Sequence, residues 1–247
     1  LAAVVDLFQL KMHTWNLSVS EAVKLQKKLA KRIICKGRPK KIDCIAGADL
    51  AYEKSRQLGF CAVILFSYPG LNILETCFSH DTVEFPYIPG LLTFREGPLF
   101  LKTFKKIKTK PDVIIFDGQG IAHPRKLGIA AHMGLFLNIP TIGCAKSKLY
   151  GSYDEPGTDK GAESLLYDKS NSPIGTVLRT RKNVKPVFIS PGYKIGIKES
   201  KEIIMNCVIK YRIPEPVRIA HIEVEKYKMA KEAVFTQATV VTKPKST

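Results

Sequence analysis

The chain has 247 residues, 45% of them hydrophobic, which is enough for a buried core and too apolar for a disordered chain. Its 39 Lys and Arg against 22 Asp and Glu leave a formal net charge of +17, spread along the length, so a polyanion is the first partner to consider, whether for a binder or an enzyme. Six cysteines without C-x-x-C spacing remove the usual zinc and dithiol readings, and no apolar run approaches the roughly 20 residues of a membrane-spanning helix. The stretch Leu1 to Leu10 lacks a basic flank and carries Asp6, so it does not read as a secretion signal, and a cytoplasmic protein with no membrane partner is expected.

In chain order, residues 18–36 place Ala22, Leu25, Leu29 and Ile33 at helical spacing, with Ser20 as the N-cap and Gly37 as the stop. IAGADLAY, CAVILFSY and LNILETCF follow as extended segments separated by Gly59 and the pair Pro69-Gly70, and they predict an antiparallel meander. A helix through PLFLKTFKKI starts at Pro98, which prefers the first helical position and leaves Glu96 on the segment before it. Val113–Phe116 suits a strand buried on both faces, a helix opens after Pro124 and runs to about Leu137, and TIGCAK is a second buried strand, so residues 112–146 form a parallel βαβ unit. Residues 151–173 are polar and read as one long loop. PIGTVLRT and PVFISPG add two strands, and a helix from about Lys198 to Ile209 and a charged helical tail complete the chain. A meander followed by βαβ is a mixed α/β sheet in a single domain, with an ordered core over about 18–228 and a flexible basic tail over 229–247.

Asp49 lies in an apolar strand, where an ionised carboxylate is costly unless it is paired, satisfied at a bend by backbone N–H groups, or bound to a metal. Asp117 ends the next strand at its carboxyl end, where open α/β sheets place their ligand crevices, although an aspartate before Gly118 also makes an ordinary turn. Lys146 ends the parallel strand after it, so an anion and a cation leave one sheet edge together, either as a plain salt bridge or as a metal ligand beside a phosphate-binding ammonium. Glu96 sits in LLTFREGP, where it serves as a capping-box residue or as a third carboxylate. Three carboxylates form the oxygen-rich cage that Mg²⁺ prefers, with Mn²⁺ as a substitute.

Other polar clusters surround this set. DGQGIAHPRKLG packs Gly118 and Gly120, which admit close backbone approach, with His123 as a proton shuttle or a helix cap, and Arg125 and Lys126 as phosphate contacts. In PYIPG, Pro86 and Pro89 stiffen a loop carrying Tyr87 and Ile88, either a wedge between bases or an apolar loop folded on the core. Arg179 and Arg181, with Lys182, read as a clamp on a nucleic-acid backbone or as a solvated strand edge.

Together IAGADLAY, PYIPGLLTFRE, PDVIIFDGQGIAHPRKLGIAAH, IPTIGCAKSKLYG, LRTR, FISPG and YRIPEPVRIA resemble the endonuclease V family in order and spacing over roughly residues 20–222. The resemblance implies an RNase H-like fold and a metal-dependent endonuclease. Such an enzyme hydrolyses the second phosphodiester bond 3′ of hypoxanthine in DNA or RNA and leaves 3′-hydroxyl and 5′-phosphate ends, in repair of deaminated adenine or processing of inosine-containing RNA. It implies metal-binding roles for Asp49, Glu96 and Asp117, supporting catalytic roles for His123 and Lys146, and a wedge at Tyr87. A base pocket near Gly90, Leu92, Gly118, Gly128 and Ile129 and action as a monomer are expected with them. One departure stands out: FISPG is followed by Tyr193, where the family commonly has histidine, which puts any proton-transfer role of that position in doubt.

Overall fold

The computed structural model describes residues 12–241, so Leu1 to Lys11, with the Leu1 to Leu10 stretch read above, and the last six residues lie outside the described residues. One eight-stranded sheet organises the chain, with strand order β3-β2-β1-β4-β5-β8-β7-β6. The meander is β1 (Cys44–Glu53), β2 (Leu58–Ser67) and β3 (Ile73–Thr82), all antiparallel, and β1 pairs in parallel with β4 (Val113–Phe116), which pairs in parallel with β5 (Thr141–Ala145). Past β5 the sheet turns antiparallel again through β8 (Val187–Tyr193), β7 (Pro173–Leu178) and β6 (Glu163–Tyr167). This is the mixed α/β sheet that the sequence predicts.

Alternation along the central strands sorts side chains to two faces. Ala46, Ala48, Ile114 and Phe116 pack under α2 (Leu92–Phe104) and α3 (Ile129–Leu137). Ile45, Val113, Ile115 and Cys144 pack on the opposite face under α4 (Ile197–Asn206) and α5 (Glu215–Val241). Ile45, Val113 and Ile115 are fully buried, each worth about 1.5–3 kcal/mol against exposure. Gly47 lets α5 lie directly on β1, since a Cβ there would sit 2.1 Å from the Pro216 carbonyl oxygen.

Several expected boundaries shift, each because of a specific interaction. The first helix, α1, covers Val19–Ala30, and its N-cap is Ser18 rather than Ser20, because only Ser18 closes a capping box with Glu21. It stops well before Gly37, since the carbonyls of Ile34 and Gly37 accept hydrogen bonds from the amides of Lys194 and Gly196. Helix α2 begins at Leu92, so Glu96 is helical and Pro98 is interior. An exposed proline there forfeits one amide bond to the Phe94 carbonyl. Helix α3 opens at Ile129 rather than just after Pro124, since residues 121–128 form a loop. The expected loop 151–173 contains β6, whose edge position tolerates a polar sequence, and the tail expected to be flexible from 229 continues as helix to Val241. No helix among the described residues is long and apolar enough to cross a membrane, and all six cysteines are free thiols.

Candidate active site

Ala48 and Phe116 are register partners of the parallel β1–β4 pair, so the next residues, Asp49 and Asp117, leave the two strands side by side, about 5 Å apart. Both fall on the face covered by α5, as Ile45 and Ile115 do. Glu96 reaches the same edge from α2 on the other face. Its Oε1 accepts a hydrogen bond of 3.1 Å from the Tyr52 hydroxyl of β1, and the Arg95 guanidinium lies 4.4 Å over the Tyr52 ring. Asp49 Oδ2 meets His221 Nδ1 of α5 at 2.7 Å, and Asp117 Oδ2 meets Lys146 Nζ at 2.5 Å.

The acids feel one another. Burial, reinforced by the negative charges of Asp49 and Asp117 and opposed by the Tyr52 hydrogen bond, pushes Glu96 up to about 8. Burial and Asp117 likewise push Asp49 above the usual carboxylate range, against the pull of His221. Carboxylates that raise one another in this way share a space too small to hold them all as anions without a counter-charge. Among the described residues no three acid, imidazole or thiol side chains form a finished coordination shell, because Asp49, Glu96 and Asp117 each turn to a separate protein partner. The donor set itself, hard oxygens in excess of nearby cations, fits a small divalent ion such as Mg²⁺.

Beside Asp117 opens a pocket of about 340 Å³. It is lined by Tyr87, Ile88, Pro89 and Gly90 and by Leu92, Gly118, Gly128, Ile129 and Lys146. Tyr87 is 69% exposed at the rim, with Pro86 and Pro89 exposed on either side of it. Ile88 is half-buried against Leu91 and Phe94, so the PYIP loop projects one aromatic ring while its neighbour anchors it.

Gly90, in the left-handed region at φ +81°, turns its carbonyl inward onto three donors: Gln26 Nε2 at 2.9 Å, His123 Nε2 at 2.9 Å and Arg125 Nη2 at 2.8 Å. His123 Nδ1 accepts from the Arg125 amide, and burial drives the imidazole down to about 4. Held 2% exposed with both nitrogens engaged, the ring braces the pocket wall. Arg125 also donates through Nε to Gln26, so it too is turned into the fold rather than toward a phosphate. Lys126 pairs with Asp168 at 3.0 Å.

Arg179 differs most from expectation. It is 7% exposed and gives its donors to the carbonyls of Pro156, Gly157 and Val184 and to Glu155, so it clamps a loop of its own chain rather than a backbone of nucleic acid. Arg181 is exposed and reaches the Lys210 carbonyl. Gly120 also serves the fold, since a Cβ there would lie 2.0 Å from the Pro191 carbonyl oxygen of β8, an approach made to protein rather than to ligand.

A family model described as Endonuclease V matches residues 27–222. The chain belongs to the endonuclease V family. An endonuclease V of Kosmotoga olearia is 46% identical over 211 residues, covering 85% of this chain and 92% of its own. The crystal structure of the Bacillus subtilis endonuclease V superposes with a TM-score of 0.85 at 32% identity, over 90% of this chain and 98% of that one. The Ciona intestinalis endonuclease V, solved in complex with a 24mer DNA containing an inosine followed by a ribo-adenosine, superposes at 0.75 with 25% identity, over 86% and 98% of the two chains. The fold is thus that of the solved endonuclease V structures, and the protein is an enzyme of the endonuclease V type.

Within this endonuclease V framework the departure at Tyr193 is far from the acids. Tyr193 pairs with Thr141 at the start of β5, on the order of 15 Å along the strand from Lys146, and packs with Leu29, Leu127 and Leu135. Three residues absent from the sequence reading stand at the site instead. His221 bonds Asp49, Tyr52 bonds Glu96, and the buried Gln26 bonds Gly90. For His221 the only signal was an imidazole beside Ala220 on a helix whose buried stripe is Val217, Ala220 and Val224.

Proposed function

We propose that the chain cuts DNA or RNA at the second phosphodiester bond 3′ of inosine, leaving 3′-hydroxyl and 5′-phosphate ends, with Asp49, Glu96 and Asp117 as the carboxylates that hold Mg²⁺, or Mn²⁺ in its place. The observation that carries this reading is the convergence of those acids at one sheet edge, next to a pocket that Asp117 and the Tyr87 loop both line. When bound, the divalent ion supplies charge for the phosphate and acidifies an attacking water. His221 fixes the orientation of Asp49, and the Tyr52 hydroxyl does the same for Glu96. Lys146, released from Asp117 once that acid has another counter-charge, offers an ammonium to a phosphate oxygen at the pocket floor.

Recognition is assigned to the loop and the pocket. Tyr87, held out by Pro86 and Pro89 and anchored by Ile88, fills the gap left in the stack when the altered base turns into the pocket between Gly90, Leu92, Gly118, Gly128 and Ile129. Arg125, Lys126 and Arg181 remain secondary candidates for phosphates, each committed to protein partners here. All these residues lie on one chain, so action as a monomer belongs to the same reading, and six free thiols suit the reducing cytoplasm. An oligonucleotide carrying one inosine, incubated with the protein and Mg²⁺ and then with EDTA, tests it. Scission beside inosine that EDTA abolishes is expected; an abasic product without scission would refute it.

A further inference from the structure

Helix α1 buries Ala22, Gln26 and Leu29 against the PYIP wall and α3. Its opposite side carries Lys24, Lys27, Lys28 and Lys31 at i, i+3, i+4 and i+7, all exposed, and Arg32 and Lys36 continue the run. Glu21 is the one acid of the helix, and its carboxylate is committed to Ser18. Among the described residues none of the four lysines has an ion-pair partner, whereas Lys41, Lys102 and Lys126 elsewhere on the surface each have one. Four adjacent ammonium groups oppose one another on a helix face and add nothing to folding. Their spacing does suit a polyanion: from Lys24 to Lys31 the helix rises about 10 Å, the length that roughly three phosphates of one strand occupy.

The place of the stripe is as informative as its charge. Asp117 and Lys146 line the pocket together with the PYIP loop. Helix α1 stands directly behind that loop, with Ala22 in the cluster of Leu91 and Phe94 and Gln26 donating to the Gly90 carbonyl. In an enzyme that cuts 3′ of inosine, the strand leading from the base to the acids is the 3′ side. The strand that leaves the pocket past the PYIP loop is the 5′ side.

We propose that the outer face of α1 is a second nucleic-acid contact, which follows the sugar–phosphate backbone on the 5′ side of the inosine. This rests on the proposed function for its polarity and goes beyond it in assigning a surface and a direction. The contact is made to phosphates, so it is indifferent to sequence and weakens steeply with salt.

Two labelled strands of equal length, one with inosine near its 3′ end and hence a long 5′ flank, the other with inosine near its 5′ end, test this. Binding is followed by fluorescence anisotropy over a salt series, with Ca²⁺ in place of Mg²⁺ and the strands checked for integrity. Replacing Lys24, Lys27, Lys28 and Lys31 by Gln is expected to weaken the long-5′-flank strand roughly tenfold and to flatten its log–log salt dependence by about 2, while the other strand changes less than about twofold. A Lys108→Gln/Lys110→Gln pair, at the far end of β4 from the acids, controls for lost overall charge. Equal loss on both strands, loss confined to the long 3′ flank, or no loss overturns the proposal. Cutting of both strands by the unaltered protein with Mg²⁺ is read separately, so a strand left whole beside inosine counts against the proposed function and not against this surface.

Discussion

The acid edge and the Gly90 brace both border one pocket and are built on opposite principles. At the brace a single carbonyl receives three donors, His123 is neutral and filled on both nitrogens, and Arg125 is spent on protein. At the edge burial and Asp117 raise Asp49, and burial, Asp49 and Asp117 raise Glu96, while His221, Tyr52, Arg95 and Lys146 offset them in part. The brace is what folding favours. The edge costs folding energy, and a region that keeps such a cost is where charge is held for a ligand.

Perturbing the edge should therefore cost activity and not stability. Asp117→Asn is expected to lower cleavage on the order of 10³-fold while strand binding persists, and in EDTA the variant should melt above the parent, since one of the repelling charges is gone. A melting temperature that falls together with activity would assign Asp117 to the fold instead.

Acid should break the brace. Burial holds His123 down to about 4, so between its ordinary value near 6.5 and about 4 the unfolded chain takes up a proton that the folded chain refuses. Stability therefore falls as pH drops through that window, by about 2–3 kcal/mol from this residue, with His13 and His132 lowered in the same sense. Denaturant titrations of the parent and His123→Gln across that range check it: the variant should start less stable at pH 7 and lose less on acidification.

His221→Asn sharpens the comparison from the edge side. Loss of the imidazole behind Asp49 should reduce cleavage by about 10–100-fold and leave melting nearly unchanged, because the ring is half exposed. The smallest effect is expected at the rim, where Tyr87→Ala should weaken binding of the inosine strand by roughly tenfold without altering the rate at saturation. A fall in the saturated rate with unchanged binding would place Tyr87 in the chemistry.

What the chain discloses in one dimension follows from how each residue is carried. Asp49, Asp117 and Lys146 were legible because apolar strands bracket them, and the register Ala48 with Phe116 needs no more than two parallel neighbours. Glu96 was legible as a residue and misplaced as a conformation, since proline preference at Pro98 yielded to a helix already started at Leu92. His221 lies 172 positions from Asp49, on a helix whose crossing over Gly47 is a tertiary event. LRTR does not say which arginine turns inward, and Arg179 does so because Pro156 and Gly157, in a loop of the polar stretch, and Val184 offer it carbonyls.

Mn²⁺ binding followed by electron paramagnetic resonance, in the parent and in Asp49→Asn, Glu96→Gln and Asp117→Asn, reaches the shared-cation claim most directly. One site in the parent, lost or greatly weakened in each of the three variants, is the predicted result. Undiminished Mn²⁺ binding in any of the three, with the fold intact, would contradict it.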